Sequence, residues 1–161
     1  MKKFLKFAVL SLAAITMCAC DDDKSYVDPG LEVTPHNLSG TWQLAEWQGA
    51  PLAEGSFVYI ELTRKDQLFS MYQNLDSALP RELTGRFAIT TDEELGAIVM
   101  GQYDYGIGDW NHQYIVTDLD ADSMVWTAKD DRSDVQVFVR CDGIPDEVTG
   151  GKTCLLYTSP S

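Results

Sequence analysis

The chain has 161 residues, with 12 Lys+Arg against 25 Asp+Glu, a formal net charge of −13, and 4 cysteines. This excess of carboxylates repels phosphate backbones, which excludes nucleic acid as a partner class. Once the terminal segments are set aside, about 110 residues remain, enough for one hydrophobic core and not for two.

The first predicted element is a targeting segment. Lys2, Lys3 and Lys6 precede an uncharged apolar run from Phe7 to Met17. That run is too short to cross a bilayer, which takes ~20 residues, but it has the length of a signal-peptide core. Ala19 before Cys20, with Met17 three residues upstream, resembles a lipobox, where lipoprotein signal peptidase cleaves before a cysteine that then carries lipid. Residues 1–19 are therefore expected to be a signal peptide and Cys20 the lipid attachment site, carrying palmitate and anchoring the protein to the membrane. Cys18 is the second choice, because its use would place Met17 next to the cut. An ordinary secretory signal is the competing reading.

Residues 20–37 read as a lipidated flexible tether, with Asp28-Pro29-Gly30 and Pro35 and little apolar periodicity. Asp21-Asp22-Asp23-Lys24 resembles the acidic export signal of Bacteroidota surface lipoproteins, which implies the outer membrane or cell surface. At the other end, residues 146–161 read as a disordered tail. Within it, Cys154–Ser161 looks like a translated sequencing adapter and is excluded from fold reasoning. Removing the signal and the stretch from Lys152 onward takes away four lysines and no acids, leaving 8 basic against 25 acidic residues, net −17. Only Cys141 then remains in the domain, so neither a disulfide framework nor a cysteine metal site is expected.

From Leu38 onward the pattern is short alternating segments with turn signals between them. Eight strands are predicted, at about residues 40–47, 57–63, 67–74, 81–90, 96–103, 111–118, 123–128 and 134–140. Their apolar faces are expected to be Trp42/Leu44, Val58/Ile60/Leu62, Phe69/Met71, Phe87/Ile89, Ile98/Met100, Tyr114/Val116, Met124/Trp126 and Val135/Val137/Val139. One-sided alternation with short connections suits antiparallel pairing. The expected fold class is therefore all-β, an eight-stranded antiparallel up-and-down β-barrel over residues 38–145, with a β-sandwich as the alternative.

Leu38-Ser39-Gly40-Thr41-Trp42 opens the first strand, and its Gly-x-Trp resembles the first-strand signature of lipocalins. The likeness is closest to the compact lipocalin-like domains of Bacteroidota lipoproteins. It implies that Trp42 plugs the closed end of the barrel and that an arginine near the last strand, here Arg140, packs across the indole. Gly40, Trp42 and Arg140 are thus the expected closed end. The chain lacks the helix and disulfide of larger lipocalins. The odd-numbered connections, about residues 48–56, 75–80, 104–110 and 129–133, are mostly the longer ones and would share the opposite rim, with the mouth facing away from the membrane.

The stretch from Gln102 to His112 is rich in aromatics and glycine. Tyr103, Tyr105 and Trp110, with Trp47 and Tyr72 on neighbouring strands, form a candidate ligand rim that could stack on a sugar or a small apolar molecule. The alternative is that these rings fold over the barrel as a lid. Asp118-x-Asp120-x-Asp122 begins like a calcium loop, but Ser123 and Lys129 stand where glycine and a bidentate glutamate are needed, so a hairpin turn is expected. Asp76-Ser77-Ala78 resembles a short O-glycosylation motif. No nucleophile elbow, zinc pair or phosphate loop is present in the sequence, so neither enzyme activity nor a cofactor or metal is expected. Two functions compete: small-molecule or glycan binding at the open end, or a filled barrel acting as a protein-interaction or structural module.

Overall fold

The computed structural model describes residues 30–150. The expected signal peptide over residues 1–19, the expected lipid site Cys20 and the adapter-like Cys154–Ser161 lie outside the described residues. The architecture is all-β, with strands β1 Gly40–Trp47, β2 Ala50–Pro51, β3 Val58–Thr63, β4 Leu68–Gln73, β5 Arg81–Asp92, β6 Gly96–Tyr103, β7 Gly108–Asp109, β8 Tyr114–Thr117, β9 Ser123–Ala128 and β10 Val135–Cys141. Every pairing is antiparallel. β1, β3, β4, β5, β6, β8, β9 and β10 follow one another around the sheet, and β10 pairs with β1. This is a closed eight-stranded up-and-down barrel, consistent with a lipocalin-like fold, and closure leaves no sheet edge to protect.

Two short strands exceed the expected eight. β2 folds back on β1 through Gln48 and Gly49, whose φ values of 54° and 80° suit the two-residue turns that match strand twist. β7 folds back on β6, so the strand expected over 111–118 shrinks to β8, Tyr114–Thr117.

The tether reading fails for its last residues. Leu31 N donates to the Leu119 carbonyl at 2.7 Å, and Thr34 caps a single helical turn, α1 Pro35–Leu38, by accepting from Asn37 N at 3.2 Å. Pro35 begins that turn where its missing N–H costs nothing. Its apolar end, Leu38, is fully buried beneath the barrel. The disordered-tail reading likewise fails for residues 146–150, where Val148 is buried and its N–H donates to the Pro145 carbonyl. Weak periodicity hid both segments, because each docks through only one or two apolar side chains.

Two faces also differ from expectation. On β10 the inward side chains are Gln136, Phe138 and Arg140, opposite Trp126, Met124 and Trp42, while Val135, Val137 and Val139 point outward. On β6 the inward residues are Val99, Gly101 and Tyr103, opposite Ile89, Phe87 and Gly85, so Ile98 and Met100 lie on the outer face. Ile98 is nonetheless buried there, paired with Ile115, and a strand apolar on both faces gives alternation nothing to choose between.

The lower half of the barrel is solid. Trp42, Ile60, Leu62, Phe69, Met124 and Phe138 are each at most 2% exposed. Trp42 Nε1 donates to the Leu38 carbonyl at 2.9 Å. Arg140 lies over the Trp42 ring with its guanidinium carbon 4.0 Å from the centroid.

Candidate functional site

A register shift near the top of β1 creates the site. β1 pairs Leu44 with Phe138 but Glu46 with Val137, so Ala45 is an extra residue. Strict alternation from Trp42 and Leu44 would turn Trp47 outward. The bulge reverses that parity and brings Trp47 onto the inner face opposite Gln136. There its indole Nε1 donates to Asp134 Oδ1 at 2.6 Å, and Gln136 Nε2 reaches the same oxygen at 3.2 Å. Asp134 is 6% exposed.

Beneath this polar corner lies a cavity of about 340 Å³ in the open half of the barrel. Its apolar wall includes Leu44, Val58, Met71, Leu83 and Phe138, and its aromatic wall Tyr103, Trp110, Tyr114 and Trp126. The rings form one packed cluster, with Trp126 centroids 4.8 Å from Phe138, 5.4 Å from Tyr114 and 5.7 Å from Trp110. Burial pushes the Tyr114 hydroxyl up to about 12, and the Asp134 carboxylate adds to the rise. The rim is polar, with Gln73, Asp76, Asn111, Asp134 and Gln136.

A second, larger hollow of about 800 Å³ lies on the outer face, between Arg86, Met100 and Gln102 and the segment Asp109–Gln113. Trp110, Asn111 and His112 line both spaces, so they form the wall between them. β6 and β8 pair at only two positions, Ile98 with Ile115 and Val99 with Tyr114. Above those positions Trp110 fills the gap, its ring against Gly101.

The expected rim residues separate. Trp47, Tyr103 and Trp110 line the cavity, though Trp110 is 8% exposed and forms part of the packed wall. Tyr72 does not reach it. Tyr72 pairs with Tyr59 on the outer face, and its hydroxyl donates to Glu82 Oε1 at 2.7 Å. A strand residue next to inward Met71 must point the other way. Tyr105, 95% exposed, stands at the tip of the turn between β6 and β7 and touches no cavity wall.

Gly40, Trp42 and Arg140 gather at the closed end. Gly40 has φ +131°, and a Cβ there would meet Arg140 Nη1 at 2.3 Å. The guanidinium donates to the Ala121, Ser39 and Asn37 carbonyls at 2.6, 2.8 and 3.2 Å. Arg140 therefore ties α1, the turn between β8 and β9, and Trp42 together.

Asp134, Gln136 and Tyr114 line the cavity although their sequence pattern does not mark them as site residues. One signal was available for Trp110, since Gly85 and Gly101 interrupt strands, as glycines do where another group approaches the backbone. A Cβ at Gly101 would meet Trp110 Cε2 at 2.1 Å, and one at Gly85 would meet the Gln102 carbonyl oxygen at 2.0 Å and Phe69 Cε1 at 2.8 Å. The calcium-like stretch is a hairpin turn in which Asp120 Oδ1 accepts from Asp122 N and Ser123 N, both at 2.7 Å. Among the described residues, no group of three His, Cys, Asp or Glu side chains is placed to hold a metal ion.

A scan against protein-family models finds no match for this chain, and neither does a search of the curated proteins. The class that stands on the geometry is the barrel itself, closed by Trp42 and Arg140 at one end and hollow at the other.

Proposed function

We propose that this protein is a membrane-anchored lipoprotein of the kind found in Bacteroidota, with a lipocalin-like barrel that takes one small molecule, apolar or sugar-like, into its open end. The observation that carries this reading is the 340 Å³ cavity walled by Tyr103, Trp110, Tyr114 and Trp126 under a polar rim. Small-molecule pockets run from ~300 to ~1,000 Å³ and combine apolar walls with a few placed polar groups. An eight-stranded barrel has room for packed side chains or for one small ligand, and here the lower half does the first and the upper half is hollow.

The anchor is proposed from the lipobox-like Ala19-Cys20 and the surface location from Asp21-Asp22-Asp23. Gly30 and Leu31 join the fold beside Leu119 at the closed end, which supports a mouth turned away from the membrane. Native mass spectrometry of the purified protein tests the binding reading. A small-molecule adduct at one per chain is expected, and it should vanish in Met71→Trp, which fills the cavity. A bare mass under gentle ionisation, with no small molecule shifting the melting temperature, would overturn it.

A second reading is favoured by the loop tips. Tyr105 and Ile107 are 95% and 63% exposed on one mouth loop, and Leu75 and Leu79 are 41% and 73% exposed on another. Apolar side chains on the rim suit a protein partner that caps the mouth. Crosslinking in intact cells with Tyr105→Ser/Ile107→Ser as the control tests this, since a genuine partner adduct disappears in the variant.

A further inference from the structure

Resting on the reading of the open end as a small-molecule site, we propose that its ligand is an organic cation, an amine or alkylated ammonium ion.

Asp134 is the key residue. Its carboxylate is 6% exposed and lies on the cavity wall. The groups that reach Oδ1 are the Trp47 indole N–H and the Gln136 amide, both uncharged. Among the described residues no cationic side chain pairs with Asp134. Two other carboxylates at this end do have a basic side chain as partner. Asp76 meets Arg81 at 2.8 Å, and Asp130 meets His112 Nδ1 at 2.7 Å. A carboxylate taken nearly out of water without a counter-charge is costly, and a cation in the cavity supplies that charge.

The rest of the wall suits the same occupant. It contains no lysine or arginine. Tyr114 and Trp110 lie with centroids 5.4 and 5.7 Å from Trp126, and 6.3 Å from each other. Aromatic faces carry the negative part of the ring quadrupole, and alkylated ammonium ions are held by such clusters. The indole N–H of Trp110 has no hydrogen-bond partner but is sealed off from solvent, so it does not recruit an anion. The mouth loops add Asp104, Asp109 and Asp131 against Lys129 and Arg132, a field that draws cations toward the opening.

The test uses the purified protein and three probes, choline, benzyltrimethylammonium and dimethylbutanol, the uncharged carbon isostere of choline. Tryptophan fluorescence reports occupancy. At least one cation is expected to bind saturably and roughly tenfold or more tighter than dimethylbutanol. Asp134→Asn, which keeps the acceptor for Trp47, should erase that preference and leave dimethylbutanol unchanged. Should the variant not fold, the wild-type preference for a cation over dimethylbutanol still decides. If dimethylbutanol binds as well as the cations, the cation assignment is overturned and the small-molecule reading stands. The cation assignment also falls if no probe binds while native mass spectrometry shows an adduct. If no probe binds and no adduct is seen, both readings fall.

Discussion

Arg140 and Trp42 face each other across the seam where β10 closes on β1, with the guanidinium carbon 4.0 Å from the indole centroid. Trp42 is fully buried, so Trp42→Ala should cost ~3–5 kcal/mol. Arg140→Ala removes the stacking and three hydrogen bonds to carbonyls of two separate segments, and should cost ~2–3 kcal/mol. The pair should couple by ~0.5–3 kcal/mol in urea melts of the four proteins. Simple additivity would mean that the closed end is held by something else.

Gly40 belongs to the same unit. Gly40→Ala places a methyl group on Arg140 Nη1 and a side chain at φ +131°, and should destabilise by ~1–3 kcal/mol. In an Arg140→Ala background the steric part of that penalty should disappear, which urea melts of the double variant will show.

The inward face of β10 can be checked directly. Phe138 is 2% exposed and Val139 is 37% exposed. Phe138→Ala is expected to cost ~3–5 kcal/mol, and Val139→Ala no more than ~1 kcal/mol. Equal losses would restore the valine face as the inner one.

These two adjacent residues also show how far the sequence could be read. Strand positions and closure were legible because most strands alternate between a core face and a wet face, as Val58, Ile60 and Leu62 do on β3. The closed end was legible because Gly40-x-Trp42 resembles the lipocalin first-strand signature, and that resemblance implied an arginine on the last strand, here Arg140. Parity was lost on β10 because its inner face is polar for a reason. Gln136, with Asp134 just ahead of the strand, lines the cavity, and Arg140 covers Trp42. Hydrophobicity therefore pointed to the valines. The Ala45 bulge shows itself only in the pairing with β10, so Trp47, expected at the rim, turns inward for a reason that local sequence does not carry. Local rules fail where a strand does something other than fill the core.

Titration should be asymmetric in a defined way. Tyr72 and Tyr114 have an ordinary value of 10.0 and are each pushed up to about 12, burial first in both, with the Glu82 hydrogen bond next for Tyr72. The folded protein thus holds these protons more tightly than the unfolded chain. Their contribution is whole below pH 10 and is lost as pH rises toward 12. On the acid side, the Asp122 and Ser123 amides hold Asp120 below its ordinary value, and the Ser133 hydroxyl and amide do the same for Asp131. That stability is present above the ordinary carboxylate range and drains as pH falls below it. Urea midpoints across pH, with tyrosinate absorbance followed in parallel, check both limbs; Tyr114→Phe should blunt the alkaline one.

The central claim is that the open half of the barrel holds a space that accepts a small molecule, and binding of the neutral, polarity-sensitive fluorophore Prodan tests it most directly. Met71 lines that space and is only half-buried, so Met71→Trp fills it with little change in the packed lower half. The wild-type protein should bind one fluorophore per chain, with a saturable blue shift in emission that Met71→Trp removes while its melting temperature holds. A shift that does not saturate, or that survives unchanged in Met71→Trp, would mean that the fluorophore sits on the outer surface and that the barrel is not a container.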